Sequence, residues 1–231
     1  MRQTPYRFLV FSAFIAIAFV TIFGTVNADQ LQSFGENQQH VQSWNRFANS
    51  LYGYHKQLLD NKKIRKGKSR IGNYARHPDF YTETEYRDPR NGQLRSRISR
   101  ERKDPNNIHI MELFFYDKKG RVSRDYTAAF LPKFRNAPIQ TLISLHHYTN
   151  GLHSFRVFDA SGTRIYEVCK GSLHGKAVAI SMDMDDIAIA KDQTDGILSS
   201  TAYKACFGPI RTSVGEYKLP VLPQSGKDII S

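Results

Sequence analysis

Four short segments share a turn chemistry that narrows what this chain can become. Three of them, "EYRDPRNGQLRSRI" (85–98), "LFFYDKKGRVSRDYTAAF" (113–130) and "FRVFDASGTRIYEV" (155–168), run from aromatic or apolar residues into an Asp, a polar stretch with a Gly, and a second run. In the second and third, Asp117 with Gly120 and Asp159 with Gly162 form D-x-x-G, with Asp opening a four-residue turn and Gly supplying its left-handed residue. The first holds Asn91-Gly92, and the fourth segment, "HHYTNGLHSF" (146–155), holds Asn150-Gly151; both read as two-residue type I′ turns. Four hairpins between residues 80 and 170 predict an antiparallel meander and exclude a βαβ architecture. Their irregular spacing argues against a solenoid.

Ahead of the meander, "SWNRFANSLYGYHKQLLD" (43–60) places Trp44, Phe47, Leu51, Tyr54 and Leu58 at spacings of three and four, with Ser43 able to cap. The expected fold is therefore α+β: an N-terminal helix packed on an antiparallel β-meander of about five to seven strands, with a β-sandwich-like arrangement as the alternative. Gly67, Gly72, Asn73 and Pro78 make 61–78 read as a loop. Two prolines mark 131–140 as a connector, 171–200 is ambiguous, and "AYKACFGPI" (202–210) reads as a last strand.

The ends set the compartment. Arg2 and Arg7 precede an uncharged, mostly apolar run, 8–26, which closes on Val26-Asn27-Ala28. Residues 1–28 read as a signal peptide cleaved after Ala28; the rival reading is an uncleaved anchor touching the membrane through 8–26. Either way the remainder is expected outside the cytoplasm, in the periplasm, secreted or tethered. Residues 29–42 read as a flexible polar lead-in, 43–220 as a single globular domain and 221–231 as a loose tail. The only two cysteines, Cys169 and Cys206, then predict one disulfide. It would close a loop of about 36 residues and contribute about 3–4 kcal/mol.

The formal net charge is +12, and its surplus is concentrated. Residues 62–103 hold 14 Lys or Arg against five acids. The candidate anion-binding set is Arg65, Lys66, Arg87, Arg95, Arg97, Arg100 and Arg102, with Arg95 and Arg97 expected on one face of a strand. The partners this implies are an acidic glycan, a lipid headgroup or an acidic protein surface. Nucleic acid is disfavoured, because no recognition motif is present. Nearby Tyr74, Phe80, Tyr81 and Tyr86 suit core packing or stacking on a sugar.

Histidines supply the other candidate. With Asn150-Gly151 as the loop, Thr149 pairs with Leu152, Tyr148 with His153, His147 with Ser154 and His146 with Phe155. His146 and His153 become diagonal neighbours on one face, a candidate site for a divalent metal that lacks an evident third ligand. His109 could serve only if the strand order brought it close. "MDMDD" (182–186) has neither the spacing nor the glycine of a calcium loop. No G-x-S-x-G, H-E-x-x-H, P-loop or S-x-x-K set occurs. The sequence thus reads as a non-catalytic exported binding module without a cofactor. The alternative is a metal-dependent or hydrolytic enzyme using His146 and His153.

Overall fold

The computed structural model describes residues 39–132, 138–191 and 196–220. The 1–28 leader, most of the 29–42 lead-in and the 221–231 tail fall outside them. Helix α1 (Gln39–Asp60) is followed by nine strands: β1 (Arg65–Tyr74), β2 (His77–Arg87), β3 (Leu94–Glu101), β4 (Ile108–Tyr116), β5 (Val122–Ala129), β6 (Gln140–Thr149), β7 (Leu152–Phe158), β8 (Arg164–Leu173) and β9 (Lys176–Asp183). Two helices come last, α2 (Met184–Lys191) and α3 (Thr201–Phe207). The strands form one antiparallel sheet in sequence order, so the chain is a pure meander and no second sheet is needed.

The turns close as their residues dictate. Asn150 and Gly151 both have positive φ (46° and 80°), as a type I′ turn requires. Asp159 Oδ1 accepts the backbone N–H groups of Ser161, Gly162 and Thr163, each at 2.9 Å, with Gly162 at φ 99°. Asp117 organises its turn in the same way. The β2–β3 turn differs from expectation. Only Gly92 has positive φ, and the Asp88 N–H donates to the Gln93 carbonyl, so the loop takes four residues, with Asp88 receiving Arg90.

Sheet and helices meet on one face. Strand alternation turns Ile98, Met111, Leu113, Tyr126, Ile143 and Phe158 inward, where Phe47, Leu51, Tyr54 and Leu58 of α1 pack against them. Each such side chain contributes about 1.5–3 kcal/mol by leaving water. The helix begins at Gln39, not at Ser43, because Val41 is also buried and extends the apolar stripe by a turn. Disulfide Cys169–Cys206 pins α3 to β8, with Cα atoms 6.0 Å apart across 37 residues of sequence.

Two local expectations are corrected, and one open stretch takes a definite form. Residues 65–74 are a strand rather than a loop, paired along β2 from Arg65↔Arg87 to Tyr74↔His77. Gly72 does not break it. The Tyr81 ring lies over Gly72, where a Cβ would come within 2.3 Å of ring atoms, so glycine is what lets the ring cross. Residues 201–207 are a helix rather than a strand: Ser200 caps it by accepting the Tyr203 N–H at 3.1 Å, and Cys206 and Phe207 face the core. Residues 176–183, in the stretch the sequence left ambiguous, form the ninth strand.

Beneath α3 lies an ionic cluster. Glu167, fully buried, receives Arg156 Nε at 2.8 Å, Arg164 Nη2 at 2.6 Å and the Tyr203 hydroxyl at 2.6 Å. Arg156 also donates to the Ile210 and Arg211 carbonyls, which ties the C-terminal segment to the sheet.

Candidate functional site

The candidate basic residues do not form one row. Arg95 is the extra residue of a bulge, since Tyr86 pairs with Ser96 and Arg87 with Leu94. The break in alternation separates Arg95 from Arg97, contrary to the expectation that they share a face. Arg95 turns toward Tyr54 of α1, where its charge partly opposes the burial that raises that phenol's pKa. Arg97 lies on the opposite face between Glu112 (3.1 Å) and Glu83 (3.6 Å). Arg87 is held by Glu85 at 2.8 Å and the Gly92 carbonyl, Arg100 by the Pro105 carbonyl, and Arg102 by Asp79.

Arg65 and Lys66 differ from these. They stand with Lys62, Lys63 and Lys68 on the approach to β1 and on β1 itself, which is one of the two edges of the sheet. All five are exposed, and none makes an ion pair with a described residue. The free positive charge therefore gathers at this edge rather than on β3.

The face of the sheet away from the helices carries a polar row. Arg70 pairs with Glu83 at 2.7 Å, and Arg97 links Glu83 to Glu112. Burial pushes the Glu112 carboxyl above its usual range despite Arg97. Farther along, β5, β6 and β7 bring four groups into a chain. Ser144 Oγ donates to Asp125 Oδ1 at 3.0 Å, His146 Nε2 meets Asp125 Oδ2 at 2.6 Å, and His146 Nδ1 meets His153 Nε2 at 2.9 Å.

The β6–β7 register is the one read from the sequence, so His146 and His153 are diagonal neighbours with His147 on the other face. Asp125 is the carboxylate that sequence reasoning missed. It lies in β5, where Ser144 is its direct cross-strand partner. The signal available was the alternation of β5 against β6, which needs the strand pairing to be known.

This chain runs in series. The facing nitrogens of His146 and His153 bond one another instead of converging on a third point. Among the described residues no three His, Cys, Asp or Glu groups are arranged to hold a metal. With Asp125 ionised, His146 donates through Nε2 and accepts at Nδ1 from the His153 Nε2–H. Burial, then His146, then Arg121 push His153 below the ordinary imidazole pKa. Tyr148 stacks on His153, with centroids 4.3 Å apart and planes within 4°.

The remaining candidates have structural partners. His109 is buried on the helix-side face, bonded to the Phe130 carbonyl at 3.1 Å and ringed by Tyr74, Phe80 and Tyr81, so it does not join His146. Tyr86 meets the edge of His55. In "MDMDD", Asp183 Oδ1 accepts the N–H groups of Asp185 and Asp186, and Asp186 accepts the Asp183 N–H, so the cluster caps α2. No described helix is long and apolar enough to cross a membrane. Comparison with known proteins gives no matching family model, no matching curated protein and no matching solved structure.

Proposed function

We propose that this protein is an exported, non-catalytic binding module that engages an anionic partner through the edge of its sheet. The observation that carries the reading is the run Lys62, Lys63, Arg65, Lys66 and Lys68, five exposed cations without a described ion-pair partner on and before an edge strand. Charges of one sign collected along an edge attract a polyanion over about a Debye length, roughly 8–10 Å at physiological salt. An acidic glycan, an anionic headgroup surface and an acidic protein face all present that chemistry. Export rests on the 1–28 leader and on the disulfide, which persists in an oxidising compartment.

The test is capture of the protein by phosphatidylglycerol vesicles, an acidic polysaccharide and an acidic protein, at low and high salt, comparing wild type with Lys66→Glu/Lys68→Glu. Both positions are exposed, so the fold is retained. At least one partner should bind in a salt-sensitive way, and the double reversal should weaken it about tenfold. Equal capture of wild type and variant would discard the reading. Intact mass of the protein from the exported fraction tests the leader, with Asp29 expected at the N-terminus.

The Asp125–His146–His153 chain favours a second reading, a hydrolytic enzyme with an oriented imidazole base. Ser144 donates to Asp125 and not to a histidine, so the base would act on water or a substrate hydroxyl. Loss of hydrolysis of a phosphoester or ester panel in His146→Ala and His153→Ala would establish it; no hydrolysis by wild type would end it.

A further inference from the structure

Beside the β6–β7 turn lies a recess of about 500 Å³, whose walls include Lys119, Arg121, Tyr148, Asn150, His153 and Lys170. No carboxylate lines it. Arg121 is gripped from behind by Asp117 at 2.7 Å and lies 4.4 Å over the Tyr148 ring, which stacks on His153. Lys119 and Lys170 are exposed and make no ion pair with a described residue.

We propose that this recess binds a phosphate group, and that His153 takes up a proton as it does so. The ligand chemistry follows from the donors. Arg121 already gives its Nε–Nη2 edge to Asp117, which leaves only its Nη1 side for a ligand. With that remaining side stand two ammonium point charges and an imidazole, a set that suits a compact tetrahedral oxyanion approached from several sides. The phosphate could arrive free, on a phosphorylated sugar or on a lipid headgroup.

The proton has a defined place. The charged and titratable groups around His153 are Lys170, opposite it on β8; Tyr148 and His146 on β6, with Asp125 of β5 beyond His146; and Arg121 and Lys119 from the β4–β5 turn, with Asp117 behind Arg121. Burial, His146 and Arg121 disfavour a proton on the ring. The negative charge of a bound phosphate group reverses that balance. Nε2 of His153 is committed to His146, so the added proton goes to Nδ1, and no bond of the chain toward Asp125 has to be rearranged.

The experiment is calorimetric titration of the full-length protein with inorganic phosphate, glucose phosphate and a galacturonate oligomer, plus binding to phosphatidylglycerol vesicles. Titrations in two buffers of different ionisation enthalpy count protons. Phosphate should bind in a one-to-one complex, weakened about tenfold in Lys119→Ala/Lys170→Ala; near neutral pH the protein should take up a proton once the proton released by the ligand itself is subtracted. The His153 ring resonances should titrate at higher pH with phosphate present. Asp125→Asn, which does not line the recess, should reduce the proton uptake.

Stronger binding to vesicles than to free phosphate that persists in Lys66→Glu/Lys68→Glu and is lost in Lys119→Ala/Lys170→Ala identifies a headgroup; equal binding of phosphate and sugar phosphate identifies a soluble ligand. The inference is overturned if no phosphate-bearing probe binds, if galacturonate binds as well as phosphate, or if the lysine variant binds unchanged. The site is independent of the β1 edge, so Lys66→Glu/Lys68→Glu should leave phosphate titration unaltered, and either proposal can fail without the other.

Discussion

His55 makes the stability of this fold sensitive to acid by a calculable amount. The ring sits on α1, 2% exposed, with Nδ1 2.8 Å from Ser96 Oγ and the Tyr86 ring edge-on at 4.6 Å. Burial, and secondarily the Arg100 guanidinium, lower its pKa from 6.5 to about 4. The folded state therefore binds the proton less readily than the unfolded chain. The sign follows: stability is complete above about pH 6.5, falls as the pH drops through that value, and levels off below about pH 4.

At pH 5 the unfolded chain carries most of a proton that the fold excludes. The difference is about 2 kcal/mol, rising to roughly 3 kcal/mol at the plateau. The assay is urea unfolding at pH 7 and pH 5, followed through the fluorescence of the single tryptophan, Trp44. The comparison is wild type against His55→Gln, which keeps a partner for Ser96 but does not titrate. His109, whose pKa is also lowered by burial, is present in both proteins and cancels. Wild type should lose about 2 kcal/mol more than His55→Gln between the two pH values. Equal losses would refute the assignment of the acid sensitivity to His55.

Two further substitutions probe what holds the C-terminal segment down. Glu167→Leu leaves the buried guanidinium of Arg156 without its anion and should cost about 3–5 kcal/mol, read as a drop in Tm of roughly 6–20 °C; a change under about 2 °C would show that the cluster relaxes without cost. Cys169→Ala/Cys206→Ala should cost about 3–4 kcal/mol by freeing a long loop in the unfolded chain, and a variant as stable as wild type under non-reducing conditions would show that the packing of Phe207 and the Glu167 cluster secure α3 without the disulfide.

What the sequence determined by itself is local. Asp117, Asp159 and Asn150-Gly151 act through their own backbone neighbours, so their turns were legible, and with them the pairing of His146 and His153. The apolar stripe of α1 was legible because one helix carries its whole period. The two cysteines could be paired because the sequence holds no others. The tertiary structure decided what depends on a partner distant in sequence.

Residues 65–74 are extended because β2 supplies their hydrogen bonds; alone, the same polar stretch has no reason to be a strand. Residues 201–207 carry aromatic residues that suit a strand, but the Ser200 cap and the burial of Cys206 and Phe207 under the sheet favour the helix. Arg95 and Arg97 alternate in sequence, yet one bulge separates them. Asp125 meets His146 only because β5 lies beside β6 in the correct register, and that register comes from a sheet whose hydrogen bonds are formed between strands and not within them.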